Sequence, residues 1–165
     1  SESLNLGFKE SDSELVLVLS AHCIPVTDSS VECLVREFSI EKVGGAFGRQ
    51  LPTCNSTSHD TRDLLTVFGR ERIVYHQYPF FHNGFAMVRR SCWEQVPFDE
   101  AVNGIEDRIW ALEIARLGYS VVYQPEAKVF HEHGLNHGTS IERAKRVARA
   151  LKVYHVDDEV EWPVA

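Results

Sequence analysis

The sequence predicts an α/β protein, a mixed sheet flanked by helices, in a single domain over residues 1–165. Three observations predict it. Glu14-Leu15-Val16-Leu17-Val18-Leu19 holds a continuous apolar run with no polar alternation, the pattern of a strand covered on both faces. Gly84-Phe85-Ala86-Met87-Val88 is a second run of the same kind. Around them lie stretches of helical period that open with capping signatures. At 165 residues, 44% of them hydrophobic and 25% charged, the chain is long enough for one real core and has the composition of a soluble globular domain.

Ser1 to Ser13 is polar and reads as loose, with a short helical turn near its end. Leu15–Leu19 reads as a central strand; it stops at Ser20-Ala21-His22-Cys23, and Pro25 blocks immediate continuation. The carboxyl end of a central strand in an open α/β sheet faces the ligand crevice. Ser29-x-x-Glu32 is a capping box, and Val31, Leu34, Val35 and Phe38 form one apolar stripe behind it. Val43 to Phe47 predicts a short strand interrupted by Gly44-Gly45, followed by a turn, Gly48-Arg49-Gln50-Leu51-Pro52, that carries a cation. After a polar loop from Cys54 to Asp60, Asp60-x-x-Asp63 caps a helix through Phe68.

Ile73-Val74-Tyr75 fits either a strand or part of a loop. The Gly84–Val88 strand leads into a second capping box, Ser91-x-x-Glu94, whose helix must end before Pro97. A third, Asn103-x-x-Glu106, opens a helix with Ile109, Leu112 and Leu117 toward a core and Trp110 and Ile114 beside them; Gly118 suits its left-handed end. Ser120–Tyr123 and Lys128–His131 read as two short strands around a Pro125 turn. Thr139-x-x-Glu142 caps a last helix, with arginine and lysine on its outer face, to about Tyr154, and residues 156–165 read as a frayed acidic tail.

A formal net charge of -7 argues against general affinity for nucleic acid, which needs a basic face. No apolar run approaches the length that spans a bilayer, and no signal peptide is expected. Cys23, Cys33, Cys54 and Cys92 are widely spaced with no Cys-x-x-Cys pair, which predicts reduced thiols in a cytosolic protein.

Chemistry is best sought where titratable groups gather at element ends. Glu106-Asp107 opens a helix. The helix dipole favours an ionised Asp107, and an ionised carboxylate facing a crevice can take a proton from a hydroxyl. Helix capping explains Glu106 fully, whereas Asp107 is open to either reading. His22, His131, His133 and His137 form a second group; His131-x-His133 puts two imidazoles on one face of an extended segment and could bind a divalent metal, or each could serve as an ordinary hydrogen-bonding residue. Arg49, Arg89 and Arg90 could hold a phosphate or carboxylate, and Asn83-Gly84 could present an amide to a polar ligand or simply form a turn. Trp93 and Trp110 read first as core anchors, with Trp110 close enough to Asp107 to stand in a crevice wall.

These pieces in this order resemble the second half of a family 2 glycosyltransferase of the GT-A fold, of the rhamnosyltransferase type, from about Leu15 to about Leu151. The likeness rests on Val43–Pro52, on Asn83-Gly84-Phe85-Ala86-Met87-Val88-Arg89-Arg90, on Trp93 and Val96-Pro97-Phe98-Asp99-Glu100, on the Glu106-Asp107 pair heading a helix, on Leu117–Tyr123, and on Pro125–Val129 leading to His131-Glu132-His133. The resemblance implies an inverting transfer from a nucleotide sugar to a saccharide or lipid-linked acceptor in cell-surface polysaccharide synthesis. Asp107 would be the base, beside Glu106. Gly48, Arg49, Asn83, Gly84 and Trp110 would line the donor or acceptor region. His22 and His131 would be ligands to a divalent cation, Mn2+ or Mg2+. His22 falls at the second position of the family's Asp-x-Asp motif, and Ser20 replaces the first aspartate.

The resemblance also implies an N-terminal nucleotide-binding half that this chain lacks. The expectation is therefore a partial GT-A fold, from a longer enzyme or from one without its donor site, inactive in isolation. It would be cytoplasmic, at the inner face of the membrane, and would self-associate through an exposed sheet edge. Two other functions fit the same residues: a non-catalytic module that binds a saccharide or a protein, and a metal hydrolase using His22, His131 and His133.

Overall fold

The computed structural model describes residues 1–102, 104–134 and 141–153. The proposed cap at Asn103, the imidazole of His137, the cap at Thr139, the helix end at Tyr154 and the acidic tail lie outside the described residues.

The chain builds a mixed sheet with helices on both faces. In order, the elements are α1 (Glu2–Lys9), β1 (Leu15–Leu19), β2 (Cys23–Pro25), α2 (Ser30–Glu37), β3 (Val43–Leu51), α3 (Ser58–Val67), β4 (Ile73–Tyr75), β5 (Phe85–Arg89), α4 (Arg90–Gln95), α5 (Glu106–Arg116), β6 (Ser120–His131) and α6 (Ile141–Val153). The sheet runs β1-β5-β3-β6-β2, and β4 pairs with β6 beside β2. Among the described residues only β3 and β6 pair in parallel; the other pairs are antiparallel. Because β5 is antiparallel to both β1 and β3, the carboxyl ends of β1, β3 and β6 and the start of β5 meet at one rim.

Two cores sandwich the sheet. Phe8, Phe47, Leu64, Phe68, Phe81, Trp93, Trp110 and Ile114 pack α1, α3, α4 and α5 on one face. Leu34, Phe38, Phe85, Met87, Val122 and Val129 pack α2 on the other. Gly118 takes φ +85 just past α5, as its position predicts.

Several expectations are corrected. The N-terminal segment is a helix, not a loose stretch: Phe8 is buried in the core, and Asn5 accepts from Trp93 Nε1 (2.9 Å) and the Phe98 N–H (3.1 Å) while donating to the Phe98 carbonyl (2.8 Å). Leu4 and Phe8, four residues apart, pack against the core, and the amide of Asn5 is satisfied between them. β1 is an edge strand rather than a central one, and Leu17 and Leu19 stay 37% and 42% exposed. A strand's place in a sheet is set by its pairing partners, not by its own hydrophobicity. β3 runs on through Leu51, so Gly48–Leu51 is strand and not turn. β6 is one strand of 12 residues, with its register against β3 shifting between Gly48–Gln124 and Arg49–Lys128, which absorbs Pro125.

The helix starts also differ from the capping signatures. Ser29 precedes α2 without a side-chain cap bond, α4 begins at Arg90, and Thr57, not Asp60, caps α3, accepting from the Asp60 N–H at 3.2 Å. α5 begins at Glu106 after Ile105, so Glu106 stands at its first position rather than its third. Val35 (43%) and Leu117 (51%) are exposed, off the stripes assigned to them.

Candidate functional site

The rim is where the predicted residues gather. Asp107 lies in the first turn of α5, and its Oδ2 accepts the Asn83 main-chain N–H at 3.0 Å, so the turn leading into β5 is tied to the head of the helix. Its Oδ1 accepts the Arg108 N–H at 2.8 Å. Glu106 turns back and accepts the Gly104 N–H at 2.7 Å.

The expectation that the helix dipole would favour ionised Asp107 fails. Burial pushes its carboxyl up to about 7, and the neighbouring Glu106 charge adds to the rise; the two main-chain N–H bonds and Arg108 pull the other way and lose. Desolvation is the largest influence on this partly buried carboxylate. The guanidinium of Arg108 lies over the Phe80 ring, 5.6 Å from its centroid.

From Asn83 the rim continues through residues that the sequence did not single out. The ring of His82 receives the Gly84 N–H at Nδ1 (3.1 Å) and meets Gln50 Nε2 at 2.8 Å. The other end of the Gln50 amide meets His131 Nδ1 at 2.7 Å. Gln50 is only 1% exposed and His131 4%. His131 stands 6.4 Å from His133 between ring centroids, and His133 stands 5.3 Å, edge to face, from exposed His22 in the turn after β1. One continuous line of contacts therefore joins Asp107 to His22 along the rim. Asp60 anchors the segment after His131: its Oδ1 accepts the Gly134 N–H at 2.7 Å, and Ser56 Oγ donates to the Glu132 carbonyl at 2.7 Å.

The remaining site candidates are placed as follows. A Cβ on Gly48 would lie 2.4 Å from both the Ala127 carbonyl oxygen and the Phe85 ring, so this glycine is spent on packing β3 against its neighbours. A Cβ on Gly84 would lie 2.6 Å from Gln50 Nε2, so its absence makes room for the Gln50–His82 contact. Trp110 is 1% exposed between Phe81 and Phe98, with its indole N–H unpartnered; it is a core side chain behind the rim rather than a wall of it. Arg49 Nε and both polar atoms of the Asn83 side chain are buried without a hydrogen-bond partner. Native structures leave few such atoms, and those they leave ask for an explanation.

The four cysteines are free, and burial pushes the thiols of Cys23 and Cys92 up to about 12 and about 11, away from reactive thiolate character. Among the described residues no group of three or more His, Cys, Asp or Glu side chains is placed to hold a metal ion. His22 and His131 are thus not joined by enough donors for the expected cation site. Ser20, where a carboxylate would be needed, uses its Oγ to accept the His22 N–H at 3.4 Å. The same finding removes the basis for a three-histidine hydrolase. No helix among the described residues is long and apolar enough to cross a membrane.

No family model matches the chain. Curated relatives include the O-antigen chain rhamnosyltransferase RfbN of Salmonella typhimurium (strain LT2), 29% identical over 76% of this chain and 43% of the relative. The O-antigen chain rhamnosyltransferase WbaN of Salmonella anatum is 28% identical over 74% of this chain and 42% of its own length. Among solved structures, the mannosyltransferase PcManGT of Pyrobaculum calidifontis, in complex with GDP-Man and Mn2+, superposes with a TM-score of 0.62 at 16% identity, covering 99% of this chain and 44% of that one. The chain spans less than half the length of each of these proteins. With its mixed sheet and this set of relatives, the chain is glycosyltransferase-like, built on part of the GT-A fold.

Proposed function

We propose that the chain carries the acceptor-side, catalytic part of an inverting sugar transfer, with Asp107 as the general base. The observation that supports this most is the state of Asp107 itself, a rim carboxylate held by the Asn83 N–H and raised to about 7. A base whose pKa lies near the working pH is both available and strong enough to take a proton. In the proposed step Asp107 removes the proton of an acceptor hydroxyl. The freed oxygen attacks the anomeric carbon of a nucleotide sugar from the face opposite the leaving group. The bond from that carbon to the diphosphate oxygen breaks, and the nucleoside diphosphate departs with the electron pair.

The orphaned Arg49 Nε and Asn83 carboxamide suit the oxygen atoms of such substrates, the cation toward phosphate and the amide toward hydroxyls. Glu106 contributes by its charge beside Asp107, which helps to raise the base. The acceptor we propose is a saccharide or a lipid-linked saccharide in cell-surface polysaccharide synthesis, at the cytoplasmic face of the membrane, by likeness to the O-antigen transferases. A divalent cation such as the Mn2+ of the mannosyltransferase complex would meet only imidazoles at His22 and His131, so no step is assigned to a metal.

In the native-length protein, Asp107→Asn lowers kcat by roughly 10²- to 10⁴-fold with little change in donor KM; a variant that keeps full transfer activity rejects the base. A second reading is a non-catalytic saccharide- or protein-binding module, favoured by Ser20 in the Asp-x-Asp position. On the first reading the isolated chain is inactive, and calorimetry separates the two: tight nucleotide-sugar binding by this chain dismisses the module. We further propose self-association through β1, whose outer edge has no strand partner among the described residues and whose Leu17 and Leu19 are 37% and 42% exposed. Sedimentation is then concentration-dependent, and a monomer at every concentration overturns this.

A further inference from the structure

We infer that Gln50 is a positioning residue that fixes the protonation pattern of two histidines on the rim, His82 as the Nε2–H tautomer and His131 as the Nδ1–H tautomer. One group in this arrangement has a fixed polarity. A main-chain N–H can only donate, and the Gly84 N–H points at His82 Nδ1 from 3.1 Å. That nitrogen must therefore carry the lone pair, and a neutral His82 ring holds its proton on Nε2.

Gln50 approaches the same Nδ1 at 2.8 Å, and an atom that already accepts can be approached only by another donor. The amide of Gln50 is thereby oriented, NH2 toward His82 and carbonyl toward His131. A carbonyl only accepts, so His131 Nδ1, 2.7 Å away, carries a proton. In neutral His131 the lone pair is then on Nε2, on the side of the ring away from Gln50. The polarity of one peptide N–H has passed through two side chains.

Three features make this an imposed arrangement. Gln50 is 1% exposed, so water does not compete for either end of its amide. The reverse amide orientation would face its carbonyl to a lone pair at His82 and its NH2 to His131. Gly84 has no side chain to block the contact, where a Cβ would sit 2.6 Å from Gln50 Nε2. The same three-residue turn, His82-Asn83-Gly84, supplies the N–H that holds Asp107, so one turn orients both the carboxylate and the histidine relay. On the reading of the rim as the transfer site, Gln50 thereby sets which ring nitrogen of each histidine carries a lone pair and which a proton; the tautomers themselves do not rest on that reading.

The test is nitrogen-15 NMR of the imidazoles in the intact chain with histidine labelled, above pH 7.5, where each ring nitrogen reports whether it bears a proton. The expected wild-type spectrum shows His82 protonated at Nε2 and His131 at Nδ1. In Gln50→Met, which removes the carbonyl at His131 Nδ1, the Nδ1–H form of His131 loses population, while His82 keeps Nε2–H because the Gly84 N–H still faces its Nδ1. A wild-type His131 protonated at Nε2 alone, a His82 protonated at Nδ1, or a His131 unmoved in Gln50→Met overturns the inference. Should Gln50→Met fail to fold, the wild-type spectrum decides by itself. Loss of activity in Asp107→Asn bears on the base alone, so the two readings fail separately.

Discussion

At one end of the rim, Asp107, Asn83, His82, Gln50 and His131 are joined by main-chain and side-chain hydrogen bonds against the packed sheet. At the other end, His22 and His133 meet ring edge to ring face near solvent. Both ends carry titratable residues at the carboxyl ends of strands, and the packed end holds them by hydrogen bonds to buried partners. There, removal of water makes each remaining contact decide a charge state or a tautomer.

The contrast can be broken or sharpened by substitution. The largest effect is expected from Gly48→Ala. Its new Cβ meets a main-chain carbonyl that cannot swing aside, so overpacking costs about 3 kcal/mol in chemical denaturation, and an unchanged midpoint would refute the tight packing of the closed end.

Next comes Asp107→Asn, read as stability. The folded protein holds the Asp107 proton to about 7, while the unfolded chain releases it near 3.8. Across that interval the folded state binds more protons, so the wild type loses stability as pH rises from about 4 to about 7 and is level above. An isosteric amide has no charge to desolvate. Relative to its own difference at pH 3, the variant therefore gains a few kcal/mol on wild type by pH 8. A pH-independent difference would show that Asp107 is not the buried acid described.

The smallest effect belongs to the open end. His22→Ala shifts thermal stability by less than about 0.5 kcal/mol, as an exposed side chain outside any hydrogen-bonded network should. A larger loss would mean that the two ends are coupled.

Much of this was legible in the sequence. The buried run Phe85–Val88, the amphipathic α5 with its terminal glycine, and the acidic pair at its head were all visible, because periodicity and capping chemistry are local. Gln50 and His82 were not. A glutamine inside Gly48–Pro52 reads as part of a turn, since polar residues next to Gly and Pro usually are. Nothing local shows that β6 lies alongside to extend β3 and bury that amide. His82 sits beside Asn83 in sequence, but its significance depends on a partner 32 residues away. His22 attracted notice through its motif position, and the structure leaves it exposed beside one other imidazole, short of a donor set.

The sequence by itself determined the α/β class, the two apolar strands, the order of the motifs and the placing of Asp107 at a helix head, since each follows from neighbours within a few residues. The tertiary structure decided that Leu15–Leu19 lies at an edge, that Asp107 is raised rather than lowered, and which atoms of His82 and His131 hold protons. Those outcomes depend on what is packed against a group from distant parts of the chain, and desolvation by such packing outweighs the local propensities and dipoles that a sequence displays.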